Sequence, residues 1–486
     1  MIVSQRFIKY LLPFLLLSAW IFGYFGYLGW KPGFAYNAHR YFEIFLLGIV
    51  LSVGIALPVR FRLGLLWSVL CIVLLSLMLV VVCYAGSHWL AVRELLQYLT
   101  LFAAILVVAK SRHGMGSGSF DRAAIIGLVL FCFGCALMVL EGLLLSLSIQ
   151  QVDHRLIFGA FVNVRIFSEL QALTLLLMPA AWLIMDSDGW RRFISLTAML
   201  WWGLLLLTGT RSALVALPFA LLVLGLVGGS QTINWFKLLL VQFIGGVVAF
   251  LFLKTGISWY LGLSFWGGEG AMSFARATSS GRFRLWEESW GQFLEHPWLG
   301  NGPGSFACFT ENLEATPHNL FFQLLSEWGI FMTLLCFALA LLMFFTLVRN
   351  LRNEQVASPL KFSLFVTLVA VVATSMMQGM IIAPLQQMLI VLLFGWALHL
   401  FAQEKFVLVT AGSFCRYQVV YVVILSMLFA LSLWGIKSDL SLQRELLVRP
   451  DGTVNLSYGP RFWADGHDHC TSWHERYQGG SRSLGP

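Results

Sequence analysis

Long, unbroken apolar runs recur along this chain, and no other feature limits its fold as tightly. The first reads YLLPFLLLSAWIFGYFGYLGW, at 10–30. Runs of roughly 18 or more apolar residues are the signature of transmembrane helices. They return repeatedly up to about residue 436, in a chain that is 59% hydrophobic and 11% charged. A soluble domain cannot hide that much apolar surface. The first run is too long for a signal-peptide core and lacks a small-residue cleavage site, so it reads as a retained span. The fold class is therefore an all-α, polytopic helical membrane protein with about 12–13 transmembrane helices.

Hydropathy places the spans near 10–30, 41–59, 63–85, 90–109, 123–148, 166–185, 193–209, 213–229, 236–254, 329–348, 362–381, 387–402 and 417–436. Residues 1–436 form one membrane domain, with a long loop at 255–328 inside it, and 437–486 form a polar tail. One set of short loops holds Arg6, Lys9, Arg60, Arg62, Lys110, Arg112, Arg122, Arg191, Arg192, Lys237, Arg349, Arg352, Lys361, Lys405 and Arg416. The alternate set holds fewer basic residues: Lys31, Arg40, Arg155, Arg165 and Arg211. The positive-inside rule makes the first set cytoplasmic. The long loop and the tail then fall outside.

The net charge of +8 suits loops that face anionic lipid. No basic stripe is interleaved with exposed aromatics, so nucleic acid is not an expected partner. Of eight cysteines, Cys132 and Cys135 form a CxxC inside an apolar run and read as core residues. If the tail lies outside, Cys308 and Cys470 share an oxidising compartment and are able to pair.

Several polar residues gather on the outer side. Arg211, in TGTRSALVALP, sits between two spans. It reads either as a snorkelling arginine at headgroup level or as a phosphate ligand suited to its planar fork. Arg165, in FVNVRIFSELQ, precedes Glu169 by one helical turn. An intrahelical ion pair accounts for it, and its outer edge remains available to a ligand. In TSSGRFRLWEESWGQFLEHPW, Arg282, Trp286, Trp290 and Phe293 fall on one helical stripe, which reads as a helix on the membrane surface. Arg282 then faces the protein body or membrane and Arg284 faces water. GNGPG at 300–304 lacks the Lys-Ser/Thr of a nucleotide loop. It reads as a turn, or as an anion-binding nest through Gly302 and Gly304.

In ATPHNLFFQLLSEWG, Thr316 is a good helix cap and Pro317 suits the first helical position. His318 is then expected in the first turn. There the helix dipole disfavours imidazolium and leaves a base able to accept a proton. The alternative is a hydrogen-bonded surface histidine. GHDHCTSWHERY in the tail fits no standard zinc spacing, so no metal is expected.

At these residues the chain resembles the O-antigen ligase superfamily of polytopic glycan transferases. The resemblance rests on SSGRFRLWEESWGQFLEHPWLGNGPGSF followed by HNLFFQLLSEWG, on TGTRSAL, and on FVNVRIFSELQ. It covers roughly 155–345 by motif. It implies a periplasmic catalytic loop and a glycan donor carried on undecaprenyl diphosphate, with no cofactor. It puts a catalytic histidine at His318 and diphosphate-binding arginines at Arg211 and Arg282. Arg165, Arg284, Gly302, Gly304 and Asn319 join as substrate-binding candidates. The acceptor is a lipid A–core sugar, another lipid-linked glycan, or a protein hydroxyl. A transporter or flippase is the alternative from another class; it predicts inverted repeats and charges near the midplane.

Overall fold

The computed structural model describes residues 35–56, 59–62, 64–86, 88–262, 281–309, 315–353, 358–402 and 405–408. The expected spans at 10–30 and 417–436, and the polar tail, lie outside the described residues. The principal helices are α1 (Ala35–Ala56), α2 (Leu65–Tyr84), α3 (His88–Met115), α4 (Ser117–Ser148), α5 (Val164–Thr174), α6 (Met178–Ile184) and α7 (Asp188–Thr208). They continue as α8 (Arg211–Gly228), α9 (Ile233–Tyr260), α10 (Arg282–Glu295), α11 (Leu320–Asn353), α12 (Pro359–Ser375) and α13 (Pro384–Phe401). Among the described residues, seven helical segments are long and apolar enough to cross a membrane. Arg211–Tyr260 counts once among them though it holds both α8 and α9, and α12 is a shorter apolar helix. The chain is an all-α, multi-pass membrane protein.

Burial sorts the helices. Val164–Ile184, which holds α5 and α6, is 89% buried, whereas α2 is only 11% buried. α5 is thus central and α2 peripheral. Phe167, Leu170 and Leu173 pack α5 into the core. Gln171 Nε2 donates to Trp201 O at 2.8 Å, and Trp201 Nε1 donates to Thr174 Oγ1 at 2.8 Å, because polar groups in lipid must find partners inside the protein. A 3-10 turn at Leu175–Leu177 precedes Pro179 and separates α5 from α6. α7 and α9 approach closely through glycines: a Cβ on Gly203 would lie 2.9 Å from Ala249 Cβ.

The two ends of the bundle differ. One is basic. It holds Arg122, which pairs with Asp186 at 2.6 Å, and Arg112, which meets Asp121 at 2.7 Å and His399 Nδ1 at 2.6 Å. A short antiparallel ribbon, β1 (Val59–Phe61) with β2 (Phe406–Leu408), also lies here, with Arg60 opposite Val407. Hydropathy gave no hint of it. The other end carries the starts of α1, α3, α5, α8, α10, α11 and α13.

One expected span needs correction. The apolar run at 362–381 is not all helix: α12 ends at Ser375, and residues 376–383 form a connector in which Gln378, Met380 and Ile382 are buried. Irregular backbone at membrane depth persists when protein surrounds it. Hydropathy reads MMQGMII as lipid-facing because it cannot tell burial in protein from burial in lipid.

Cys308 is disulfide-bonded, while among the described residues Cys71, Cys83, Cys132, Cys135 and Cys336 are free. Disulfides persist in oxidising compartments. Alkylation of denatured, unreduced protein should therefore label those five thiols and spare Cys308. Full labelling of Cys308 by mass spectrometry would place this loop on a reducing side.

Candidate functional site

At the other end, three arginines occupy the first turns of three helices. Arg165 is the second residue of α5, Arg211 the first of α8, and Arg282 the first of α10. A helix N-terminus carries unpaired amides and partial positive charge. Asn163 caps α5, accepting from Arg165 N at 2.9 Å and Ile166 N at 3.0 Å. Thr210 and Gly281, before α8 and α10, make no side-chain cap. Their first-turn amides face the same layer as the guanidiniums, which is the arrangement of an anion site.

The arginines act on one another. Burial, followed by the charges of Arg165 and Arg211, lowers the pKa of Arg282, and Glu169 opposes this. Arg282 Nε is buried without a hydrogen-bond partner. Glu169 does not close a tight pair with Arg165. It accepts instead from Gln386 Nε2 at 2.9 Å, and Gln386 also reaches Ile166 O at 2.9 Å. Arg165 and Arg282 thus act on the Glu169 carboxyl group, and Arg211 joins them through Arg282.

His318 joins this layer through the 376–383 connector. A Cβ on Gly379 would lie 3.7 Å from His318 Nδ1. Gln378, next in the chain, hydrogen-bonds Ser212, the neighbour of Arg211. From the other side, Trp286 Nε1 donates to Pro317 O at 3.1 Å and stacks on Phe322 with ring centroids 5.5 Å apart. Trp286 is one turn from Arg282, so α10 ties its arginine to the histidine segment.

The local geometry at His318 differs from the expected helix start. Thr316 does not cap α11. Asn319 does, accepting at Oδ1 from Phe321 N at 2.9 Å and Phe322 N at 3.2 Å. His318 lies just outside the helix with φ 52°, in the left-handed region. Thr316 Oγ1 accepts from His318 N at 3.3 Å and sits 3.4 Å from Nδ1. The Thr-Pro pair mimics a cap signal, but the next Asn competes better because its side chain reaches two amides. A non-glycine residue at positive φ is strained and needs its surroundings to hold it. Here Asn319 Nδ2 also donates to Met376 O at 2.8 Å, anchoring the turn to the connector. Asn319 thus spends both side-chain atoms on structure.

The α10 helix has three faces. Leu285, Ser289 and Gln292 are buried, with Arg282 and Trp286 alongside. Phe283, Trp290 and Leu294 are exposed apolar residues. Arg284 and Glu288 pair at 3.2 Å on a third face. Trp290 leaves the stripe expected for it because eight residues carry it about 80° around the wheel from Arg282. A helix partitioned among protein, lipid and water suits a membrane surface.

Gly302 and Gly304 are tightly packed: an added Cβ would meet Ala85 at Gly302 and the Leu90 side chain at Gly304. Gly300, Gly302 and Gly304 have φ 70°, 98° and 82°. Asn301 N donates to Ser326 O, Gly302 N to Glu327 O and Ile330 N to Pro297 O, each at 2.9 Å. This strap runs along a break in α11 at Gly329, whose φ is 72° and ψ −178°. That conformation belongs to glycine, and a Cβ there would strike Trp298 O. Gly329→Ala should lose roughly 1–3 kcal/mol from backbone strain, read as a lower unfolding temperature in detergent. An unchanged temperature would contradict the strap.

Sequence reading missed Gln378, Gln386 and the cluster around Arg40. Arg40, 1% exposed, donates to Glu43 and Gln387 at 2.5 Å and to Ile382 O at 2.7 Å. The available signal was polar residues set in apolar runs, which in membrane proteins mark function by default.

Residues 196–338 match the family model described as O-Antigen ligase. No curated protein matches the chain. The matched stretch contains Arg211, Arg282 and His318, three residues that the fold assembles at one end, and over this stretch the chain is similar to O-antigen ligases, a likeness that supports a membrane glycosyl-transfer function.

Proposed function

We propose that this protein sits in the bacterial inner membrane and, on its periplasmic side, transfers a glycan from undecaprenyl diphosphate to an acceptor hydroxyl. The preferred acceptor is lipid A–core, which makes the reaction O-antigen ligation. The supporting observation is the cluster of Arg165, Arg211 and Arg282 at helix N-termini beside His318. A diphosphate supplies the negative charge that three cations and one carboxyl group call for.

In this scheme the arginines hold the diphosphate and stabilise charge as it departs. His318 takes the proton of the acceptor hydroxyl. The new acceptor O–C bond forms at the anomeric carbon while the C–O bond to phosphate breaks, and the configuration inverts. The arginines stand where a Lewis acid would otherwise be needed. The sparsely basic end faces the periplasm by the positive-inside rule.

Deleting the gene tests this reading. Lipid-linked glycan should accumulate while the lipid A–core stays unextended. Surface glycan of reduced chain length would favour a polymerase, and loss of protein-linked glycan an oligosaccharyltransferase. Unchanged levels of lipid-linked glycan would contradict transfer altogether.

A further inference from the structure

Behind the connector at 376–383 lies a buried ion pair that the transfer scheme does not use. Arg40 and Glu43, both on α1, meet at 2.5 Å with side chains 1% and 0% exposed. Glu43 also accepts from Gln97 Nε2 of α3 at 3.2 Å. Arg40 Nη2 donates to Ile382 O at 2.7 Å, and its Nη1 donates to Gln387 Oε1 at 2.5 Å. Gln387 Nε2 in turn donates to Ile381 O at 2.8 Å. One guanidinium therefore governs two successive carbonyls of the connector, Ile382 directly and Ile381 through Gln387.

Burial alone does not call for a charge here. The carbonyl of Ile382 already accepts from Tyr36 Oη at 3.2 Å, and one such bond satisfies a buried carbonyl. An arginine beside it brings a desolvated charge that needs Glu43. Apolar replacement of such a pair often costs a protein no stability. What the guanidinium adds is a charge-assisted bond, shorter and stronger than the neutral one from Tyr36. That bond pins one backbone position, and the position bears on the histidine. Ile382 N donates to Gly379 O at 3.1 Å and closes the turn. Gly379 sits against the histidine segment: its added Cβ would lie 3.2 Å from Thr316 Oγ1 and 3.7 Å from His318 Nδ1. At the start of the connector, Met376 O accepts from Asn319 Nδ2 at 2.8 Å. Arg40, Ile382, Gly379 and His318 thus lie on one continuous path of hydrogen bonds and packing. We propose that Arg40 is a positioning residue: by pinning the Ile382 carbonyl it sets the connector, and through it the place of His318. The inference rests on the transfer reading above and deepens it.

Kinetics and chemical labelling of the purified full-length protein test this. The variant is Arg40→Met combined with Glu43→Met, so that no buried charge is left alone. It should lose about 10²-fold in kcat, the cost of misplacing a reacting group by roughly 1 Å. The KM for undecaprenyl diphosphate-linked glycan should not move, because Arg165, Arg211 and Arg282 stand on α5, α8 and α10. Diethyl pyrocarbonate, which carbethoxylates imidazole, should modify His318 several-fold faster than in the wild type, read by mass spectrometry. Tyr36→Phe removes only the weaker donor to Ile382 O. It should shift kcat and labelling the same way by less, and it carries the test should the double variant fail to fold. Unaltered labelling of His318 in the folded variant, or a wild-type kcat, would overturn the inference. A raised donor KM at unchanged kcat would put the effect of Arg40 on the arginine side and overturn it as well. Faster labelling in the variant, when the wild type itself transfers no glycan, would instead overturn the transfer reading and keep the positioning of His318.

Discussion

Replacing His318 with alanine should lower the rate of glycan transfer by roughly 10²–10⁴-fold, the usual cost of losing a general base. Donor binding should survive, because the arginines proposed to hold the diphosphate come from other helices. The protein should still reach the membrane at its normal level. His318 is half-buried and outside α11, and the cap of that helix belongs to Asn319. Removing the imidazole therefore leaves the helix start intact. Alanine tolerates φ 52° only somewhat less well than histidine, so little backbone movement is expected. His318→Gln separates two roles. Glutamine still donates a hydrogen bond but cannot accept a proton as imidazole does. If His318 is a base, His318→Gln should be as inactive as His318→Ala. Near-normal turnover by His318→Gln would end the base assignment.

Arg282→Ala should cost about 10²–10³ in kcat, the scale of losing one electrostatic stabiliser of the reacting charge, and Arg211→Ala should fall in the same range. The more discriminating expectation concerns stability. Arg282 is partly desolvated beside two other guanidiniums, and both effects lower its pKa. Its Nε has no hydrogen-bond partner. Removing it relieves repulsion and breaks no hydrogen bond at that atom. Arg282→Ala should therefore unfold at the same temperature or higher while losing activity, as expected for a group held in place for function. Arg282→Lys should rescue poorly, since a point charge lacks the planar fork. Arg284→Ala is the control. It loses an exposed i,i+4 pair with Glu288, worth about 0.3–0.5 kcal/mol, and should keep most of its activity. If Arg284 were required and Arg282 dispensable, the phase assigned to α10 would be wrong.

The parts of this site that were legible in the sequence share a cause. Arg165, Arg211 and Arg282 stand out because a cation next to an apolar span is costly and needs a reason. His318 stands out because a Thr-Pro-His run before an apolar stretch resembles a helix start. Hydropathy also located the described spans, since lipid imposes length and apolarity on each helix. What escaped notice depends on tertiary contact. The connector at 376–383 is apolar, and only the fold shows that it is turned into the protein, where Gln378 meets Ser212. Arg40 looked like one more loop cation, yet it is buried and clamps Ile382 O and Gln387. Gly329 gave no local sign of breaking α11, because the break is set by the strap from 297–302 lying against it. His318 itself was placed three positions too far into its helix, since Thr316 and Asn319 are both good caps and only packing selects between them.

The most direct test is reconstitution of the purified protein with undecaprenyl diphosphate-linked glycan and lipid A–core. The account predicts extension of the acceptor matched one-to-one by released undecaprenyl diphosphate, with the anomeric configuration of the transferred sugar inverted. Release without an acceptor-bound product, or a product that retains the donor's configuration, would contradict a single displacement driven by His318 and the arginine cluster.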